Sequence, residues 1–390
     1  MRIALVASLV SPIREAEANG PHAIILDLAR GLDARGHETV VFAARGSSTR
    51  GVRIHEIDVP PIAQQAAIQT DGSAASALAQ RALATGFDQL YERVHEFEPD
   101  AVSQHAFDAP AIRFAEDLPV VHTLHLPPID PAVVSAAQET HRTLVTVSHA
   151  ANRDWLAAGV HGTRVIRNGV PDLNTWSDSP DDIALIAGRI SPEKGTATAI
   201  QVARAAGLAP LVVGDIYDQN YFDQLVEPNL QHGEFVGPVS RRRLSSLMAS
   251  SAVLVMPIEW EEPFGLVAAE AQMAGCPVVG YRRGALPEIV TEGVGGYLVD
   301  PGDGEALVRA VHRSRDLDRW VIRHGALREF GVHTMVDAYE AALRSVRTEA
   351  AGFPIVKRGN REPTGFDTRH SGRSGGHPGK GDTVNVAPTG

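Results

Sequence analysis

Ala252-Val-Leu-Val-Met-Pro-Ile-Glu-Trp-Glu-Glu-Pro-Phe-Gly-Leu-Val-Ala-Ala-Glu-Ala-Gln-Met-Ala-Gly-Cys-Pro-Val-Val-Gly280 decides how the chain is read. An apolar run predicts a strand over 252–256, a polar loop follows, then a helix, then a second strand over 277–280. Glu262 and Glu270 stand eight positions apart, with Pro263 and Gly265 between them. Proline just after an acidic residue signals a helix start, because its missing N–H is not needed in the first turn. Glu262 is therefore expected in the loop and Glu270 inside a helix reading Phe264-Gly-Leu-Val-Ala-Ala-Glu-Ala-Gln-Met-Ala274. That helix is apolar nearly all round, the pattern of a buried helix. A carboxylate in such company is costly unless something pairs with it. Two partners are open: an arginine or backbone donors serving structure, or a ligand lying across the helix N-terminus.

Outward from this stretch, strands and helices alternate along the chain. Strands are expected over 3–8, 38–43, 52–57, 100–104, 120–124, 144–147 and 164–166, with helices over 22–35 and 83–97 and loop plus helix over 60–82. The polar run Asn174-Thr-Trp-Ser-Asp-Ser-Pro-Asp-Asp182 reads as a linker. The alternation then restarts, with strands over 183–187, 210–214, 233–236, 252–256, 277–280 and 297–299. Near-continuous apolar strands belong to parallel sheets covered on both faces. The expected architecture is α/β, two doubly wound Rossmann-like domains facing across a cleft, with ligands at the carboxyl ends of the strands. The divisions are an acceptor-side domain over 1–173, a donor-binding domain over 174–332, a helix over 333–350 returning to the first domain, and a disordered tail over 351–390, rich in Gly, Arg and Pro.

Composition narrows the function. A chain of 390 residues is too long for one core. Net charge is −11 and residues 1–150 contain no lysine, so there is no basic footprint for nucleic acid and no support for membrane docking. No run is long enough to span a bilayer, and the apolar start over 3–10 leads into Arg14-Glu-Ala-Glu17 instead of a cleavage site. The single cysteine, Cys276, fits a reducing cytoplasm.

A second motif, Gly188-Arg-Ile-Ser-Pro-Glu-Lys-Gly195, follows one strand and opens a helix from about Thr196. Helix N-terminal amides and the helix dipole favour phosphate there, and Arg189 and Lys194 add two cations. Lys194 is the only lysine before the tail, in a chain that otherwise uses arginine. A lysine acts on phosphate as a compact point charge. Two helix starts, two cations and two carboxylates fit a diphosphate, a ribose and a further polyhydroxyl group: a nucleotide sugar.

Glu262-Pro-Phe-Gly-Leu-Val-Ala-Ala-Glu270, Ala274-Gly-Cys-Pro-Val-Val279 and the Gly188–Gly195 motif together resemble the family 4 retaining glycosyltransferases of the GT-B fold, the glycogen-synthase-like and phosphatidylinositol-mannosyltransferase-like group. Looser matches lie in Asp27-Leu-Ala-Arg-Gly-Leu-Asp-Ala-Arg-Gly-His37, Val121-His-Thr-Leu-His125 and Arg167-Asn-Gly-Val170. The resemblance implies that Arg189 and Lys194 bind the donor diphosphate, Glu270 the ribose, and Glu262 the transferred sugar. It implies that the amides of Phe264, Gly265 and Leu266 meet sugar or phosphate oxygens, the Phe235–Val236 backbone the base, and His125 the donor sugar or acceptor, with His122 a rival for that role. Family members carry two glycines before the first helix; here Asn19-Gly20 stands there, and Gly20 still permits close approach.

The expected activity is transfer from a nucleoside diphosphate sugar, UDP-glucose as first guess, with retention and without a metal or other cofactor. The acceptor is a small molecule, lipid or glycan. A nucleotide-sugar 2-epimerase, a phosphorylase and a non-catalytic nucleotide-sugar binder are the alternatives. A nicotinamide enzyme is disfavoured because no Gly-x-Gly-x-x-Gly follows the first strand.

Overall fold

The computed structural model describes residues 1–15, 20–63 and 74–351. Asn19 and the tail over 352–390 lie outside the described residues, as does part of the 60–82 segment.

The first sheet is built from β1 (Arg2–Val6), β2 (Glu38–Ala44), β3 (Ile54–Ile57), β4 (Ala101–Gln104), β5 (Val120–Leu124), β6 (Thr143–Thr146) and β7 (Arg164–Val165). All pairs are parallel, in the order β3-β2-β1-β4-β5-β6-β7. Its helices are α1 (Gly20–Ala34), α2 (Ala74–Phe97), α3 (Ala109–Arg113), α4 (Pro131–Glu139) and α5 (His149–Ala157). β1, β4 and β5 are buried along almost their whole length, so none shows the in-and-out alternation of a half-exposed strand, and the polar side chains of β4 and β5 (Ser103, Gln104, His122 and Thr123) are buried as well.

The second sheet has β8 (Asp181–Ala187), β9 (Ala209–Val213), β10 (Phe235–Gly237), β11 (Ser251–Met256), β12 (Val278–Tyr281) and β13 (Gly296–Val299), again all parallel, in the order β10-β9-β8-β11-β12-β13. Its helices are α6 (Thr196–Ala205), α7 (Gln219–Tyr221), α8 (Arg241–Ser250), α9 (Leu266–Met273), α10 (Leu286–Ile289), α11 (Gly304–Ser314) and α12 (Arg319–Phe330). In each sheet the strand order reverses once, between β1 and β4 and between β8 and β11. Those reversals open crevices at the carboxyl ends of the strands, where doubly wound sheets bind ligands.

The last helix, α13 (Val332–Ala351), packs on the first domain. It lies so close to α1 that a Cβ on Gly31 would stand 2.4 Å from Val336. The Tyr339 hydroxyl meets Thr123 Oγ1 at 3.0 Å. The chain crosses between domains twice, and the two crossings are tied by Val170 N–H to Phe330 O (2.7 Å) and Val332 N–H to Val170 O (3.0 Å). No helix among the described residues is long and apolar enough to cross a membrane.

Candidate functional site

The loops after β8 and β11 flank the reversal of the second sheet, and they are zipped together by Glu259 N–H donating to Glu193 O at 2.8 Å. After β8, Pro192–Lys194 makes one tight 3-10 turn, ended by Gly195 at φ 68°. A Cβ on Gly195 would lie 2.1 Å from the carbonyl oxygen of Pro257, so only glycine lets the two loops approach this closely. This turn, ahead of α6, aims Lys194 across to the other loop. Its ammonium donates to Glu262 Oε2 at 2.6 Å and lies 4.8 Å from the Trp260 ring centroid. The Trp260 indole N–H donates to the same oxygen at 2.9 Å. Glu262 is held from behind as well: Ala285 N–H donates to its carbonyl at 2.8 Å, and a Cβ on Gly284 would strike its backbone N at 2.3 Å. Arg189 is more open, 3.6 Å from Glu193 and stacked over Tyr217 at 4.8 Å.

The helix carrying Glu270 starts at Leu266, two residues later than the Phe264 expected from sequence. Gly265 adopts φ 92° as its N-cap and α9 begins at Leu266, so Pro263 and Phe264 belong to the loop. The left-handed glycine turns the chain after the proline instead of continuing it. Phe264 is buried edge-on against Phe330, and Ser148 Oγ donates to Pro263 O at 2.6 Å, fixing this loop to the first domain. First-turn amides of a helix have no intrahelical acceptor, which leaves those around Leu266 as donors for an anion.

Glu270 is paired. Arg241, at the start of α8, donates through Nε to Glu270 Oε1 at 2.9 Å and through Nη1 to Asp27 Oδ2 at 2.5 Å. The arginine is the structural partner that sequence left open for Glu270, and it links the second domain to α1 of the first. Burial raises the pKa of both Glu270 and Asp27, and Arg241 offsets part of that rise. Burial also works against the charge on Arg241, but the two carboxylates outweigh it and its pKa moves up. The Arg241 Nη2 is buried with no partner among the described residues, so the fork has one donor to spare beside the carboxylate.

On the first domain, His125 follows β5 and His105 follows β4. Their rings stack with centroids 5.1 Å apart, and His105 Nδ1 lies 2.9 Å from His125 Nε2. Burial lowers the His125 pKa to about 4 and pushes His105 well below its ordinary range, helped by His125. His122 sits inside β5, wholly buried, with Nδ1 3.1 Å from Gln104 Oε1. The structure thus places His125 at a strand end and His122 in the sheet interior. Gly20 opens α1 with φ 50°, and among the described residues nothing beyond its own helix turn and chain neighbours lies within 4 Å of where its Cβ would be. Val236 is half-exposed in β10 beside Phe235, whose ring meets Phe222 at 5.1 Å.

The structure therefore brings Lys194, Glu262 and Trp260 together directly, with Arg189 on the same loop, and ties Glu270 to Asp27 through Arg241. It adds Trp260, Arg241, Asp27, His105 and Gly284 to the residues that sequence singled out. Trp260 and Asp27 lay inside quoted motifs; Arg241, one of three consecutive arginines, carried no local signal. Among the described residues no group of three or more His, Cys, Asp or Glu side chains is arranged to hold a metal ion.

Two family profiles match the chain: "Glycosyltransferase Family 4" over residues 18–172 and "Glycosyl transferases group 1" over residues 175–316. A D-inositol 3-phosphate glycosyltransferase of Streptomyces griseus is 36% identical over 193 residues, covering 43% of this chain and 41% of that protein. The chain spans less than half the length of that relative. A glycogen synthase of Mycobacterium tuberculosis is 28% identical over 306 residues, covering 67% of this chain and 73% of its own. An Anabaena protein crystallised with UDP-glucose superposes with a TM-score of 0.68 at 20% identity, covering 88% of this chain and 100% of that one.

Proposed function

This chain belongs to the family 4 glycosyltransferases of the GT-B fold, and on that premise we propose that it moves a hexosyl group from a nucleoside diphosphate sugar to a hydroxyl acceptor, with retention of configuration and without a metal ion. The observation that carries the reading is the 2.6 Å pair of Lys194 and Glu262 at the strand-order reversal of the second sheet. It puts a fixed cation and a carboxylate beside each other where a diphosphate and a sugar would join.

In the proposed reaction the bond from the anomeric carbon to phosphate oxygen breaks, leaving an oxocarbenium-like sugar and a diphosphate. Lys194, Arg189 and the first-turn amides of α9 stabilise the leaving group, a preorganised electrostatic contribution. Glu262 steadies positive charge on the sugar; its hydrogen bonds to Lys194 and Trp260 suit that role better than covalent attack. The acceptor oxygen bonds to the anomeric carbon on the face the phosphate leaves, and its proton passes to a phosphate oxygen. Glu270 takes the ribose hydroxyls, sharing them with the spare Nη2 of Arg241. Gly20, Val236, Phe264 and Gly265 line the rest of the donor, and His125 faces the sugar or acceptor. The Anabaena complex supports UDP-glucose as the first donor to test.

The test is incubation with a panel of UDP-, GDP- and ADP-sugars in excess chelator, following release of free nucleoside diphosphate. One donor class should be consumed, and the product anomer, read by NMR coupling, should match the donor's. Turnover that appears only on adding Mg²⁺ or Mn²⁺ would contradict the metal-free reading, and turnover of no donor would contradict the activity.

A further inference from the structure

The His125 imidazole is the outer end of a three-member chain. Ser103 Oγ lies 2.8 Å from His105 Nε2, and His105 Nδ1 lies 2.9 Å from His125 Nε2. All three residues are buried: Ser103 is wholly inaccessible, and His105 and His125 keep 3% and 6% of their surface. The His105 main chain is pinned by its N–H to Val6 O at 2.9 Å. Its ring is flanked by His125 and by Tyr339 at 5.6 Å, and Tyr339 is itself fixed through Thr123. His105 therefore has little freedom to turn away from either neighbour.

A neutral imidazole carries one hydrogen on its two nitrogens, so each contact in this chain fixes the next. The Ser103 hydroxyl has His105 Nε2 as its sole hydrogen-bond partner among the described residues. If Ser103 only accepted, its hydrogen would be buried without an acceptor, an arrangement that folded proteins avoid. Ser103 therefore donates to His105 Nε2. The hydrogen of His105 must then sit on Nδ1, which donates to His125 Nε2. That leaves the hydrogen of His125 on Nδ1, the one ring nitrogen of the two histidines with no partner among the described residues.

We propose that Ser103 and His105 are positioning residues that lock His125 into its Nδ1–H tautomer, so that it meets the donor sugar or acceptor as a hydrogen-bond donor and not as a base. The inference rests on the reading that His125 faces the substrate. Its outward nitrogen already bears a hydrogen and its inward nitrogen is occupied as an acceptor, so His125 has no free lone pair with which to take the acceptor's proton. The proton is left to the departing phosphate. Burial agrees, since it holds both imidazoles neutral near pH 7.

Long-range ¹H–¹⁵N correlation on protein labelled at histidine tests this directly. The expected spectrum shows a pyrrole-type Nδ1 and a pyridine-type Nε2 on both His105 and His125, with resonances assigned from single histidine variants. His105→Asn puts an amide N–H where Nδ1–H stood, so it should keep the His125 tautomer and turnover within a few-fold of wild type. His105→Leu should release the tautomer and lower kcat by roughly 10- to 100-fold, as loss of an orienting partner does, with little change in donor KM. Ser103→Ala should mix the tautomers of His105 and give a smaller loss. Hydrogen on Nε2 of His125 in the wild type would overturn the proposal, even if the leucine variant fails to fold. So would a leucine variant that folds with an unchanged tautomer and kcat. Unchanged transfer by His125→Ala, with the wild-type spectrum as predicted, would instead remove His125 from the site, a failure of the functional reading that the spectrum distinguishes.

Discussion

The first domain brings Ser103, His105 and His125 to the ends of β4 and β5 as a chain of uncharged groups, while the second brings Arg189, Lys194, Glu262 and Glu270 to the reversal between β8 and β11 as ion pairs. Each domain resolves the cost of burying polar atoms differently. The histidines stay neutral because burial outweighs any gain from protonation. The carboxylates of the second domain are matched to lysine and arginine instead, and a matched pair keeps its charge available for a charged ligand. A glycosyl phosphate bond breaks into a cationic sugar and an anionic diphosphate, so the charged wall suits the donor. The neutral wall suits hydroxyl groups, which need direction more than charge.

The contrast is sharpest at Lys194. Lys194→Ala should lower kcat by at least ~10²-fold, as loss of one preorganised donor to developing charge does, with some loss of melting temperature because Glu262 is left without its cation; near-normal turnover would remove charge stabilisation from the account. Glu270→Gln is expected to act on binding instead, if Glu270 holds the ribose as proposed. Losing a charge-assisted hydrogen bond to the ribose should raise donor KM by roughly 10-fold, with kcat falling less than KM rises. A pure kcat effect would move Glu270 to the reacting end.

These two glutamates also mark how far sequence carried. Strand alternation, both parallel sheets and the convergence of the loops carrying Lys194 and Glu262 followed from apolar runs and two loop motifs; the direct ion pair between these two side chains did not. The start of α9 did not, because Pro263 signals a helix while the left-handed Gly265 postpones it to Leu266. The partner of Glu270 was equally hidden. Arg241 is 29 positions away and Asp27 is 214 from Arg241, so only the fold joins them. Ser103 and His105 are two residues apart, yet the partner that gives them meaning, His125, comes from the neighbouring strand.

Two stability measurements separate the walls further. Asp27→Asn leaves Arg241 with one carboxylate and should cost about 1–3 kcal/mol, a loss of several degrees in melting temperature; an unchanged melt would mean that the link between α1 and α8 is idle. The smallest effect is expected from pH. Burial lowers the His122 pKa from 6.5 to about 3, so its unfolded form takes up a proton first as pH falls. The stability it contributes is full above pH 6.5 and is lost progressively below. Asp108, raised to about 6 by burial, pulls the other way, so the informative quantity is the difference between two chains. Between pH 6.5 and 4.5 the melting temperature of His122→Gln should fall less steeply than that of the wild type. Parallel curves would show that protonation of His122 is not linked to folding.

The central claim is that the second domain's cations bind a diphosphate without help from a metal. Calorimetric titration of wild type and Lys194→Ala with UDP, GDP and ADP in excess chelator tests it most directly. The account predicts saturable binding of one of the three by the wild type, weakened at least tenfold in the variant. Equal affinity in both proteins, or binding by the wild type only when Mg²⁺ is restored, would contradict it.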